Sequence, residues 1–300
     1  MRRTLESVAA QSVPPKLWVV VDDGSTDATP AILESYLPRM SYLRVVRRAN
    51  RGRRSVGPGV IEAFYAGLET VNLEDFDYVC KLDLDLDLPP SYFQLLMERM
   101  ESNPRLGTAS GKPYFFPPGK RELVAEVCGD EMSVGMTKFY RVQCFREIGG
   151  FVRQVMWDGI DCHRCRMLGW VAESVDDERL RFIHLRPMGS SDKGIWTGRV
   201  RAGYGQYFMG TAPVYLVAST LFRLPKHPIV VGSLAMLWGY FSSALRRVGR
   251  YEDRDFRTFL RSYQYACLRF GKGTATRKFN EQQEPVWQNR LTSLVERSES

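Results

Sequence analysis

Over the first ninety residues, short apolar runs alternate with amphipathic stretches. Thr4 to Ala10 reads as a short helix, broken by Pro14-Pro15, and Leu17 to Val21 as a strand. Thr26 or Asp27 is placed to cap a helix whose apolar positions are Ala31, Ile32, Leu33, Tyr36 and Leu37. A strand from Tyr42 to Val46, a helix from about Val60 to Leu68 and a strand from Phe76 to Leu82 follow. Strands alternating with helices predict βαβ units, right-handed crossovers and a mostly parallel sheet flanked by helices. Beyond Pro89-Pro90 the pattern gives a helix from Tyr92 to Met100, then strands and turns from Gly107 to Pro118. A loop around Trp157-Asp158-Gly159-Ile160-Asp161 is expected to lead into a helix carrying Arg164 and ending near Gly169, with a strand from Arg181 to Leu185.

From about Gly203 the texture changes. Pro213 to Phe222 is apolar, and Pro228 to Leu245 has no charged residue. That stretch is at the lower edge of the length needed to span hydrocarbon, and a buried helix explains it about as well as a membrane span. Its flanks shift the balance: Arg223 and Lys226 before it, Arg246, Arg247 and Arg250 after it, Trp238 and Tyr240 within it. Basic ends and amphipathic aromatics predict helices lying in, or dipping into, an anionic leaflet. The chain therefore reads as an α/β domain over 1–200 and a helical, membrane-associated region over 201–300.

Composition changes this picture little. With 300 residues and 44% apolar positions the chain can bury a sizeable core. Its net charge of +8 favours anionic partners: nucleotide phosphates, lipid headgroups or nucleic acid. No nucleic-acid reading motif is recognisable, so that partner ranks last. The six cysteines are scattered, with no secretory signal ahead of them, which predicts a reducing setting rather than a disulfide scaffold. Cys162 and Cys165 lack the second ligand pair of a structural zinc site.

The candidate chemistry lies where two strand patterns stop. Asp22 and Asp23 end the run Val19-Val20-Val21, and Asp83, Asp85 and Asp87 alternate with Leu82, Leu84, Leu86 and Leu88. In an open parallel sheet the carboxyl ends of strands border the ligand crevice. Asp83 and Asp85 share one face of an extended run, and their hard oxygens suit Mg²⁺ or Mn²⁺ bound together with substrate phosphates. An EF-hand loop is excluded because its glycine and distal Glu are missing.

Val-Asp-Asp-Gly-Ser-Thr-Asp at 21–27, Lys-Leu-Asp-Leu-Asp-Leu at 81–86, Pro-Pro-Ser-Tyr-Phe at 89–93 and Trp-Asp-Gly-Ile-Asp at 157–161 together resemble the family 2 glycosyltransferases, over roughly Arg2 to Arg186. The resemblance implies a GT-A fold with a Rossmann-like sheet. It implies that Asp23, beside Asp22, contacts the base of a nucleotide sugar, and that Asp85, helped by Asp83, holds the divalent cation on the diphosphate. Asp158 matches the family's general base for inverting transfer, with Asp161 as runner-up; a helix cap is the competing reading of either. His184 and Arg186 follow a strand and are placed to reach the diphosphate or metal, although a lone His is often structural. Arg51, with Arg53 and Arg54, is either a phosphate grip or a solvated basic loop.

Two departures qualify the match. The apolar strand that normally begins the family, and lies in mid-sheet, is absent, leaving roughly five or six ladder positions unpaired; a start codon assigned too late is the favoured explanation. The Gln-x-x-Arg-Trp signature of processive synthases is also lacking, which argues for transfer of one or few sugars. The expected activity is an inverting, metal-dependent hexosyltransferase at the cytoplasmic membrane face, peripheral or monotopic, acting on a lipid-linked or polysaccharide acceptor of the cell envelope. The alternatives are a nucleotidyltransferase and a non-catalytic nucleotide-sugar-binding remnant.

Overall fold

The structure, a computed structural model, describes the chain except residues 53, 54, 56, 118, 187–193, 225–229, 299 and 300, and the side chains of 195, 291 and 293–298. Arg53, Arg54, Pro118, Lys226 and Pro228, named above, thus lie outside the described residues. The chain divides into two compact units: Met1–Gln154 with Ala172–Pro187, and Val155–Val171 with Met188–Ser300.

In chain order the first unit runs α1 (Arg2–Ala9), β1 (Trp18–Asp22), α2 (Thr29–Tyr36), β2 (Leu43–Arg47), α3 (Pro58–Leu68), β3 (Tyr78–Leu82), β4 (Leu86–Asp87), α4 (Tyr92–Ser102), β5 (Leu106–Gly111), β6 (Pro113–Phe115), β7 (Val124–Ala125), β8 (Thr137–Arg141) and α5 (Val142–Glu147). After α6 (Trp157–Met167), which belongs to the second unit, β9 (Val171–Val175) and β10 (Phe182–His184) return to it. The apolar spacing explains the helices. α1 buries Thr4, Leu5, Ser7 and Val8, and α4 buries Tyr92, Phe93, Leu96 and Met100. Burial of Leu5, Val8, Phe93, Leu96 and Met100 stabilises by about 1.5–3 kcal/mol each relative to exposure. β5 is buried at every position, as an inner strand between β8 and β9 should be.

The described strands form three sheets, β1-β2, β4-β10-β6-β7 and β3-β8-β5-β9, and their pairing is mixed, which corrects the expectation of a mostly parallel sheet. β1 and β2 pair in parallel, as do β10 and β6, but β8 is antiparallel to both β3 and β5, and β4–β10 and β6–β7 are antiparallel. The alternation of strand and crossover helix stops after α4. β5, β6, β7 and β8 follow one another by irregular connections, and antiparallel pairing needs no crossover helix. β1 and β2 form a two-stranded group apart from β3-β8-β5-β9, so one edge of β1 has no ladder partner among the described residues.

The second unit is helical: α6, then α7 (Gly194–Met209), α8 (Pro213–Arg223), α9 (Val231–Leu245), α10 (Arg254–Phe270), α11 (Lys272–Gln282) and α12 (Glu284–Ser298). Trp157 to Asp161 form the first turns of α6 rather than a preceding loop. Met156, in the left-handed conformation at φ 62°, makes the sharp turn into the helix, and Trp157, Ile160, Asp161 and Cys165 face inward from it. Asp253 caps α10 by accepting the Phe256 N–H at 2.8 Å. Among the described residues no helix is long and apolar enough to cross a membrane.

Candidate active site

At the end of β1, Asp22 is buried and its Oδ1 accepts the Ser25 N–H at 2.9 Å, closing a tight turn. The turn needs glycine at position 24. Its φ is +81°, and a Cβ there would lie 2.4 Å from Asn50 Cα. The Arg48 N–H donates to the Asp22 carbonyl at 2.9 Å, and Asn50 Nδ2 donates to the Gly24 carbonyl at 2.8 Å, so the basic loop after β2 is sewn to this turn. Asp23 is held between Arg48, at 2.8 Å, and Arg51, which also pairs with Glu62. The carboxylate expected to meet a nucleotide base is thus matched by two guanidinium groups.

The second acidic run follows β3. Lys81 is buried, donates to Asp83 Oδ1 at 2.5 Å and to the Gly135 carbonyl at 2.8 Å. Asp83 keeps 38% of its side chain exposed, yet the protein packed around it pushes its carboxyl above the usual carboxylate range, against the downward pull of Lys81. Asp85 and the negative charge it carries add to the rise, while His184 opposes it, so the three residues expected to hold a metal sense one another electrostatically. Antiparallel pairing of β4 with β10 sets His184 opposite Leu86, and the Leu185 N–H donates to the Asp85 carbonyl at 2.8 Å. Across that ladder Arg186 grips Asp85 Oδ2 through Nη2 at 2.7 Å and Nε at 3.0 Å. His184 Nε2 lies 3.9 Å from the same oxygen, and its Nδ1 is 2.8 Å from Oε1 of the buried Glu126.

Asp83, Asp85, His184 and Arg186 are therefore brought together, and Asp22, Asp23 and Arg51 form a second group at the β1 turn. Asp158 and Asp161 lie in the second unit, on α6. Asp158 is half-buried in its first turn, whereas Asp161 is 1% exposed. Sequence reasoning missed Glu126, Lys81, Arg48 and Glu62. Lys81, a lone cation closing an apolar strand just before three acids, was the one legible signal; Glu126 stands in a stretch with no periodic pattern.

As donors for a divalent cation, the carboxylates and the imidazole fit the hard-ligand preference of Mg²⁺ or Mn²⁺, and a histidine whose other nitrogen meets a carboxylate is a common metal-site device. No group of three or more His, Cys, Asp or Glu already converges as a ligand set among the described residues. Arg186 and Lys81 occupy the carboxylates instead. All six cysteines are free thiols, and burial pushes Cys80, on β3, up to about 12.

Residues 1–126 match the model of the family described as glycosyl transferase family 2. It is similar to the poly-beta-1,6-N-acetyl-D-glucosamine synthase of Staphylococcus epidermidis, at 28% identity over 111 residues, 37% of this chain and 24% of that protein. The synthase of Staphylococcus aureus strain COL matches at 26% over the same length. The match thus spans about a quarter of the length of these curated relatives. A crystal structure of GalNAc-T7 with UDP, GalNAc and Mn²⁺ shares the GT-A-like fold with a TM-score of 0.53 at 11% identity, covering 88% of this chain and 55% of that one.

Proposed function

We propose that the chain transfers a hexose, with inversion, from a nucleotide sugar to a lipid-linked or polysaccharide acceptor of the cell envelope, at the cytoplasmic face of the membrane. The observation that carries this reading is the convergence of Asp83, Asp85, His184 and Arg186 at the end of β3, in a chain whose residues 1–126 match the family 2 model. The synthase relatives make a polysaccharide by name, and the GalNAc-T7 structure holds UDP, a sugar and Mn²⁺, which supports the substrate class and the cofactor.

In this reading Asp23 and Asp22 bind the base, with Arg48 and Arg51 holding Asp23 in place until it does. Asp85, Asp83 and His184 would hold Mg²⁺ or Mn²⁺, which offsets the charge that builds on the leaving nucleoside diphosphate. Arg186 is exposed, and its guanidinium is suited to turn from Asp85 to a diphosphate oxygen; Arg51 is a second such cation. Asp158 accepts the proton of the acceptor hydroxyl at its carboxylate as the new bond forms. Burial of Asp161 makes it the weaker candidate for that step.

The test is nucleoside diphosphate release by the full chain with Mn²⁺ and a panel of nucleotide sugars. Asp85→Ala and Asp158→Ala should each lower turnover by about 10²-fold or more. Unchanged turnover in both variants overturns the assigned roles, and release of pyrophosphate instead would point to a nucleotidyltransferase.

A further inference from the structure

α9 presents two apolar faces, and only one of them is used. Gly232, Ala235, Met236, Gly239, Tyr240 and Ser243 are buried. Val231, Leu234, Trp238, Phe241 and Leu245, spaced alternately by three and four residues, form a second stripe that faces solvent, with Trp238 59% and Leu245 83% exposed. α8 repeats the arrangement: Leu216 and Thr220 are buried, while Val214, Val217, Leu221 and Phe222 are exposed. The two helices are joined within the second unit, Ser233 Oγ donating to the Thr220 carbonyl at 3.0 Å, with Tyr207, Leu216, Met236 and Tyr240 in one core cluster. A helix apolar on both sides is normally buried on both.

Charge says what covers it. Between Asp192 and Glu252 the sequence has no acidic residue and eight Lys and Arg, as many charges as the net +8 of the whole chain. Arg223 ends α8, and Arg246, Arg247 and Arg250 follow α9; all four are exposed, and among the described residues none pairs with a carboxylate within 4.0 Å. A second copy docked through this face would set like charges against one another. A protein core would leave the arginines unmatched. α9, at 15 residues, is about 22 Å long, shorter than the roughly 30 Å hydrocarbon layer, so it suits lying along a bilayer rather than crossing it.

We infer that the exposed stripes of α8 and α9 dock on an anionic lipid surface, with Trp238 and Phe241 at the headgroup boundary and Arg223, Arg246, Arg247 and Arg250 on the lipid phosphates. This deepens the membrane-surface part of the proposed function and rests on that part alone. Binding is read without donor or acceptor, so failure of docking and failure of transfer are separable.

The test is sedimentation of the full chain with vesicles of phosphatidylglycerol and phosphatidylcholine, compared with phosphatidylcholine alone. Binding to the anionic vesicles is expected to fall with salt, and brominated lipid should quench the fluorescence lost in Trp238→Phe. Leu234→Glu with Phe241→Glu, and separately charge reversal of Arg246, Arg247 and Arg250, should weaken partitioning by about a hundredfold while the melting curve stays cooperative. Equal binding to neutral and anionic vesicles, no binding, or unchanged binding in both variants overturns the inference. So does a solution dimer that the Leu234→Glu, Phe241→Glu variant dissociates, because the face then belongs to a second copy.

Discussion

Glu126 fixes one nitrogen of His184, and that decides which nitrogen is left to face Asp85. Nδ1 meets the buried Glu126 carboxylate at 2.8 Å, so Nε2 is the atom turned toward the acidic run. Loss of such a partner typically costs 10–100-fold in metal affinity or activity. Glu126→Ala is expected to weaken Mn²⁺ binding, measured by calorimetry, by about that factor, with partial recovery in Glu126→Gln; equal affinity in Glu126→Ala would remove Glu126 from the site. Asp83 gives the pH dependence. Its carboxyl is raised by burial, so as pH falls it takes up a proton earlier than an ordinary carboxylate does. Proton and cation compete, so Mn²⁺ affinity should begin to drop while pH is still above the usual carboxylate range, and Asp83→Asn should flatten that part of the profile. The same sign applies to folding without metal: the native state holds the proton more tightly than the unfolded chain, so Asp83 costs stability as pH rises through its native titration.

At the scale of elements, α7 and α9 meet backbone to backbone. A Cβ on Gly203 would stand 2.0 Å from the Met236 carbonyl oxygen, and one on Gly239 would stand 2.0 Å from that of Val200. Gly203→Ala or Gly239→Ala must separate the helices, costing on the order of 1–3 kcal/mol. Calorimetry should show a clearly lowered melting temperature for either, whereas Gly249→Ala, with nothing within 4 Å of its added Cβ, serves as the neutral control. Equal midpoints for all three would show that the contact carries no strain. These glycines also explain why α7 was not legible: Gly194, Gly198, Gly203 and Gly205 read as helix breakers, and the close packing that favours them is a tertiary fact. The elements from α1 to α4, β4 excepted, were legible within one or two residues, because each has its own apolar period and a glycine, proline or capping signal. β8 and α5 fall in a stretch whose pattern predicts no element, and β8 is the strand that brings antiparallel pairing to β3 and β5.

For the molecule as a whole, the acidic runs were readable because strand ends and carboxylate spacing are local. Their partners were not. Arg186 and His184 were visible as candidates, but nothing in their spacing tells that β10 lies antiparallel to β4 and delivers both to Asp85. Asp85 and Arg186 are 101 positions apart, and Glu126 and His184 are 58 apart. That separation orders the birth of the protein. At a ribosomal rate of about 5–20 residues per second, Asp85 is synthesised roughly 5–20 s before Arg186, whereas Lys81 for Asp83 and Arg3 for Asp87 are already made. Through that interval Asp85 is the member of the run still waiting for its arginine. Only when β10 joins β4 can that pair close, so the acidic end of the first unit is completed by its last strand.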